Sequence, residues 1–385
     1  MQLSVISRID TVDPEQWNAA AGDSNPFLRH EFLAALEHSG SVGPGTGWEP
    51  QYLILTHQTN GNRRLAGAIP MYRKRHSYGE YVFDWAWADA YQRAGLEYYP
   101  KLVVAAPFTP ATGPRLLVAP GEERETVATK LIQGALEHAR AHGASSLHWL
   151  FTNQADTRLL EAQGLLRRTG MQFHWHNQDY RDFDDFLAGF SSAKRKKVRR
   201  ERRYVREADI TLERIQGRDA TEQNWRTFYR FYLNTIESRG AIPYLNLEFF
   251  QEIGSTMPDQ VLLLLARHQD RHVAGALFLR GTDTLFGRYW GSDGDYHSLH
   301  FETCYYDPID YCIQQGIARF EAGAQGEHKL SRGFLPTPTW SMHWLAHPEF
   351  ERAVADYLSR ERVGMEHYMD DLNEHSPYRS LLAGD

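Results

Sequence analysis

The chain has 385 residues, a formal charge of −7, and 42% hydrophobic against 24% charged residues, the balance of a globular protein long enough for two cores. Its apolar runs stop short of the roughly 20 residues that cross a bilayer. The opening MQLSVISRIDTVDPEQW lacks a charged segment followed by a long apolar one, so neither a membrane span nor an export leader is expected and the chain is read as cytoplasmic.

In chain order, Asn25-Pro26 caps a helix through FLRHEFLAALEHSG, stopped by Gly40, with Phe27, Phe32, Leu33 and Leu36 on its apolar side. Residues 51–57 and 65–74 form a hairpin about a turn-like 58–64. Residues 78–99 are unusually aromatic, with Trp85 and Trp87 at strand spacing, and are read as core and surface cover. An amphipathic helix over 122–142, a short buried strand over 145–151, a helix over 155–168 and the strand-like MQFHWHN follow.

Lys194 to Arg206, KRKKVRRERRYVR, then packs nine basic residues and one acid into thirteen positions. No Gly or Pro interrupts 192–216, so one helix is expected, with Ser191-Ser192 as N-cap. Val198 and Val205 fall on one stripe and Arg195, Arg199, Arg202 and Arg206 on another. Glu201 and Glu207 are too few to neutralise the cations, and the like charges repel. A solvated face is the plain reading of such a run. A bound phosphate or nucleic-acid backbone would relieve the repulsion, and that is the functional reading.

The second half repeats the order of the first. LILTHQ, a turn and AGAIP at 66–70 are answered by LLLARHQ, a turn and AGALF at 274–278. A strand over 284–290, a helix over 302–315, a strand over 318–322 and a terminal helix over 348–362 follow. The repeat points to an internal duplication with a boundary within 180–189, giving domains 1–182 and 183–385, the second headed by the basic helix. On the expected helix Cys304 and Cys312 stand about 12 Å apart along the axis, too far for a disulfide.

A hairpin, a further strand, a crossover helix and a parallel strand make the plan of GNAT acyltransferases. PFLRHEFLAALE, YYPKLVVAAPFTPATGPRLL, SSAKRKKVRRERR, GRYWGSDGDYHSLHFETCYY and FEAGAQGEHKLSRGF together resemble the FemAB-like, tandem-GNAT family of N-acyltransferases over nearly the whole chain. The resemblance implies an α/β (α+β) fold of two GNAT-like domains, each a mixed central sheet flanked by helices, with a substrate channel between them. It implies transfer of an acyl or aminoacyl group to an amine, from acyl-CoA or another thioester, or from aminoacyl-tRNA. The glycine-spaced pyrophosphate loop of ordinary GNAT enzymes is missing before Glu122 and Glu302, which leaves coenzyme A without an evident amide cradle.

Transfer to an amine needs a path for the amine proton, a donor to the oxyanion and positioning. Two polar segments carry such groups: Asp293, Asp295, His297, His300 and Glu302 in the first, Glu321, Gln325, Glu327, His328, Lys329 and Arg332 in the second. The resemblance assigns Lys329 to the active site, and His300 and Glu302 complete the catalytic set. Lys194, Arg195, Arg199, Arg202, Arg203, Tyr289, Trp290 and Arg332 form the expected substrate-binding set for a phosphate-bearing small molecule or tRNA. Neither HExxH nor paired CxxC occurs, so no metal is expected. The alternative is a nonenzymatic RNA- or phosphate-ligand-binding protein on the same tandem scaffold, which leaves both polar segments idle.

Overall fold

A computed structural model describes residues 1–59, 62–324 and 326–379, so Gln325 lies outside the described residues. The chain forms two compact units, 1–170 with 338–366, and 171–337 with 367–385. Both are α/β with a mixed sheet.

The first unit runs β1 (Gln2–Ile6), α1 (Pro14–Ala21), α2 (His30–His38), β2 (Trp48–Pro50), β3 (Tyr52–Thr59), β4 (Asn62–Ile69), β5 (Met71–Lys74), α3 (Trp85–Arg93), β6 (Lys101–Val104), β7 (Leu117–Val118), α4 (Arg124–Ala141), β8 (Ser146–Thr152) and α5 (Gln154–Ala162) into β9 (Leu166–His176). Antiparallel β1-β3-β4-β7 form one sheet, while β8 lies in a second sheet beside β6, β5 and β2. The two strands flanking crossover helix α4 are thus in different sheets, and the segment before β7 meets β8 through a parallel bridge, Gly113 to Thr152. Leu53, Leu55 and Ile69 pack with Val127, Leu131 and Ile132 of α4 in the core.

The second unit contains α6 (Phe183–Ala188), α7 (Ser192–Glu207), β10 (Ile210–Gln216), α8 (Glu222–Ser238), α9 (Leu247–Thr256), β11 (Val261–His268), β12 (Arg271–Arg280), β13 (Thr284–Ser292), α10 (Leu299–Phe301), α11 (Asp307–Gln315), β14 (Arg319–Glu321) and the start of β15 (Leu335–Leu345), with α12 (Pro348–Glu374) closing the chain. Its sheet order is β10-β11-β12-β13-β14-β9, antiparallel except for β13 and β14. These two pair only over Thr284–Phe286 with Arg319–Glu321. Beyond that, Arg288 bulges out of the β12–β13 ladder, because Phe278 faces Gly287 and Leu277 faces Tyr289. Bulges bend a strand and re-aim its side chains.

Several expectations change. The units do not divide at 182/183: the end of β9 pairs with β14 from His174 to His176, and β15 returns to pair with β8 from Trp340 to Leu345. Trp85 and Trp87 lie on helix α3 instead of a strand, because Trp87 and Tyr91, four apart, bury one face of an Ala-containing run. Asn25 caps only the short turn Pro26–Leu28, and α2 starts at His30 after an extended Arg29. Ser191 stands at the N-cap of α7 but makes no capping hydrogen bond with its side chain. The expected helix over 302–315 is widened to a π turn at Glu302–Tyr306; Pro308 lacks the N–H that would bond residue 304, which favours the wider pattern.

Helix α8 crosses β13 at Gly291, where a Cβ would lie 1.8 Å from the Phe231 carbonyl oxygen. That obstacle is helix backbone and cannot rotate away. Gly291→Ala should therefore destabilise the chain by about 3 kcal/mol or more, read as a drop in the denaturant midpoint; an unchanged midpoint would mean that α8 does not sit this close.

Candidate functional site

Helix α7 is held by two ion pairs, one buried and one half-buried. Glu201, the one acid in the run, shares the buried stripe with Val198 and Val205. Its carboxylate accepts two bonds from Arg332 Nη2 (3.0 Å each) and one from the Tyr306 hydroxyl. Beside it Arg202 donates to Glu302 from Nε (3.0 Å) and Nη2 (2.9 Å), with its guanidinium 4.2 Å from the Phe183 ring centre. The outer side of α7 is open. With Phe183, Asp184 and Leu187 of α6 it borders a groove of about 730 Å³ lined by Lys196, Lys197, Arg199, Arg200, Arg202, Arg203 and Arg206.

The expected binding set divides accordingly. Arg199, Arg202 and Arg203 line the groove, while Lys194 and Arg195 are half-buried and do not. Arg199 pairs with Asp184 at 2.8 Å, and Arg203 with Glu207 at 3.3 Å. Lys196, Arg200 and Arg206 form no ion pair among the described residues, and none of the three is in the binding set expected from the sequence. Their spacing, 196, 200, 203, was the available signal, one helical row beside the row that was chosen. Arg332 is buried against Glu201 and stacks 3.4 Å from the Phe301 ring centre. Tyr289 packs on Tyr232 and Phe250, at 5.3 and 5.8 Å between ring centres. Trp290 meets His300 edge-on at 5.3 Å.

Lys329 and His300 come together; Glu302 is drawn to α7. Lys329 sits on the short helical turn Glu327–Arg332 after β14, 2% exposed, and its amine donates to the Gly323 carbonyl at 2.7 Å. Burial pushes this amine down to about 8. Gly323 in turn lies beside Gly287 O, since a Cβ on it would be 3.8 Å from that oxygen. The lysine therefore stands where β13 and β14 part. Around it, His300 contacts Tyr305 at 5.4 Å and His328 at 6.1 Å between ring centres, and Tyr305 Oη lies 2.8 Å from His328 Nε2. Burial, reinforced by His328, Arg332 and Lys329, pushes His300 down to about 4, so its ring is neutral at physiological pH. Glu302 is raised by burial even though Arg202 opposes the shift, and its ion pair occupies it.

Among the described residues no three His, Cys, Asp or Glu side chains gather as metal ligands, and no helix is long and apolar enough to cross a membrane. The arrangement offers a buried cation next to a strand gap, a neutral imidazole, and a cationic groove.

Comparison with known proteins bears on both the family and the fold. The sequence profile of the FemAB-like family, described as peptidoglycan biosynthesis/recognition, matches residues 8–380. The crystal structure of FemX superimposes with a TM-score of 0.55 at 11% identity, over 92% of this chain and 100% of that one. A C-terminal domain named as that of a lysylphosphatidylglycerol synthetase, from Agrobacterium fabrum, gives 0.53 at 9% identity, over 89% and 95% of the two chains. A protein of unknown function from Bacteroides thetaiotaomicron gives 0.51 at 10%, over 89% and 99%. No curated protein sequence matches the chain.

Removing Arg332 would strand the Glu201 carboxylate in the interior. Arg332→Ala should cost about 3 to 5 kcal/mol, and Glu201→Gln in the same chain should recover part of it. A double variant no more stable than Arg332→Ala would show that the buried charge is not what the loss reports.

Proposed function

The chain belongs to the FemAB-like family, and on that premise we propose that it transfers an acyl or aminoacyl group from an activated donor to an amine, with Lys329 as the charge beside the reacting carbonyl. The observation that carries the reading is a buried lysine amine at the parting of β13 and β14. In this mechanism the acceptor amine attacks the donor carbonyl carbon, forming the C–N bond and an oxyanion. The oxyanion falls to Lys329, where the dry surroundings strengthen the attraction. Collapse expels the donor's thiol or ribose hydroxyl, which takes up a proton. The proton lost by the amine leaves through water or through His328, whose ring is exposed and bonded to Tyr305. His300, held neutral, packs and orients and is too weak a base to take that proton.

The groove on α7 supplies the second half of the proposal, a place for phosphates on the donor or acceptor. Aminoacyl-tRNA and coenzyme A thioesters both carry them, and the synthetase domain among the structural relatives is named for a lysyl product. The binding-only alternative gives no use to a buried, partly deprotonated lysine.

Lys329→Ala should lower turnover on the order of a hundredfold or more with little change in Tm. The pH profile tests the same role. A cationic Lys329 is lost as pH rises through about 8, so turnover should fall above that pH after rising with deprotonation of the acceptor amine. Lys329→Arg, with its charge fixed, should retain activity and lose the alkaline fall. A wild-type rate that keeps rising past the lysine titration would exclude a cationic role.

For the groove, replacing Lys196, Arg200 and Arg206 with Gln should weaken substrate binding and flatten its salt dependence, whereas equal affinity and salt slope would leave α7 a solvated face.

A further inference from the structure

One stretch of the first unit has its polarity reversed. Residues 75–83 join β5 to α3, and Tyr78 and Phe83 on them stand 60% and 55% exposed, while Ser77 and Glu80 are buried at 3% and 4%. Beneath this stretch lie Lys74 and Lys101, opposite one another on β5 and β6 and both fully buried. Lys101 donates to Ser77 Oγ (2.7 Å), to Glu80 Oε2 (2.8 Å) and to Asp84 Oδ2. Lys74 donates to the Tyr78 carbonyl (3.0 Å) and sits 3.7 Å from the Trp48 ring centre, with Glu80 Oε1 at 3.9 Å. Asp84 also accepts from the Tyr98 hydroxyl at 2.6 Å, which lies 3.2 Å from His148 Nε2.

The closed arrangement is incompletely satisfied. Glu80 Oε1 and Asp84 Oδ1 are buried without a hydrogen-bond donor among the described residues, an omission that native interiors avoid. Tyr81 holds φ at 61°, a left-handed value that costs a bulky residue strain. Helix α3, which carries Asp84 at its N-cap, is anchored by Trp87 and Tyr91 against Leu345, Val354 and Leu358. Residues 75–83 instead turn Tyr78 outward onto His76 and Trp85.

We propose that residues 75–83 are a lid over an anion site in the first unit, where Lys74 and Lys101 hold the anionic group of a small ligand in the place that the Glu80 carboxylate takes when the lid is shut. With Glu80 withdrawn, two ammonium groups face the single carboxylate of Asp84, an excess of positive charge that calls for an anion. A carboxylate or a phosphate meets that need. Tyr98 and Asp84, which stay with the fixed part of the fold, remain to bond a hydroxyl or amino group on the same ligand.

The charges facing Glu80 make the site sensitive to pH. Burial pushes Glu80 up to about 7 against the pull of Lys101, and pushes Lys74 down to about 7. Lys101 stays above its ordinary value because Glu80 and Asp84 together outweigh its burial, while burial raises Asp84 but Lys101, His148 and Tyr98 together hold it below its own. His148 is held neutral by burial and Lys101, and burial keeps Tyr98 protonated. Falling pH therefore removes charge from the lid and adds it to Lys74, and both changes favour the anion.

The test uses the full chain with two probes, inorganic phosphate and acetate, whose relative affinities separate the two ligand classes. Because α7 also attracts anions, the site is located by amide hydrogen exchange at residues 75–83. Saturable binding that speeds exchange there, tighter at pH 6 than at pH 8 and lost in Lys101→Met, is expected. Gly79 sits at φ 81°, where a Cβ would come within 2.7 Å of the Phe108 ring, so Gly79→Ala should unseat the lid without touching a charge and tighten binding about tenfold. Glu80→Gln should do the same by removing the competing carboxylate. Binding that leaves exchange at 75–83 unchanged, that survives Lys101→Met, or that is no tighter in Gly79→Ala overturns the lid, and so does the absence of saturable binding. Should Glu80→Gln fail to fold, the wild-type exchange and Gly79→Ala decide.

Discussion

Everything that positions the second unit's chemistry hangs from the inner side of α7. Nine positive charges over thirteen residues repel along a helix, and Val198 and Val205 alone bury too little to hold it down. The two ion pairs supply the rest, and they reach different segments: Glu201 takes Tyr306 and Arg332, and Arg202 takes Glu302. Glu302 and Tyr306 are the first and last residues of the π turn, and Arg332 ends the turn that carries Lys329. One helix thus sets the π turn and the lysine turn in register. Buried ion pairs add little net stability over apolar replacements but are costly to break on one side, which suits them to fixing register.

The fold was legible where pattern and chain position agree. The two AGA hairpins were found by residue identity, and in the structure each carries a one-residue irregularity near the motif, between Leu55 and Thr56 in one unit and between Ala266 and Arg267 in the other. The strands flanking the second crossover helix followed from that plan. The boundary was not legible, because β9 and β15 each run from one unit into the other, and Gly170, Pro336 and Pro338 at the two passages lie inside these strands instead of in a linker. Trp85 and Trp87 misled because two aromatics two apart fit a strand, and the helix is decided only by Tyr91 four residues on.

The site was legible as residue types and not as pairings. Lys329, His300, Glu302 and Arg332 stood out as polar residues following core strands, but which of them is free depends on contacts far apart in sequence, such as the hundred residues separating Arg202 from Glu302. Helical spacing places a side chain on a face; it does not say which face meets a carboxylate. Glu201 is too scarce an acid to neutralise its neighbours, yet it is the residue that fastens their helix.

Lys74 and Lys329 show how the same side chain takes different meanings from its surroundings. Both amines are buried, and burial pulls both below the ordinary lysine range, to about 7 and about 8. Lys329 gives its one described hydrogen bond to a backbone carbonyl, so its charge remains uncompensated and available to an oxyanion at a strand gap. Lys74 has Glu80 within 3.9 Å, so its charge is already partly answered from within the chain, although Lys101 opposite it repels that charge. A lysine whose charge is unanswered can serve a transition state directly, whereas one answered by a carboxylate on a reversed-polarity loop can serve a ligand only by exchange with that carboxylate. On the two proposals, the number and placement of internal acids, more than the depth of burial, separate the proposed catalytic lysine from the proposed gated one.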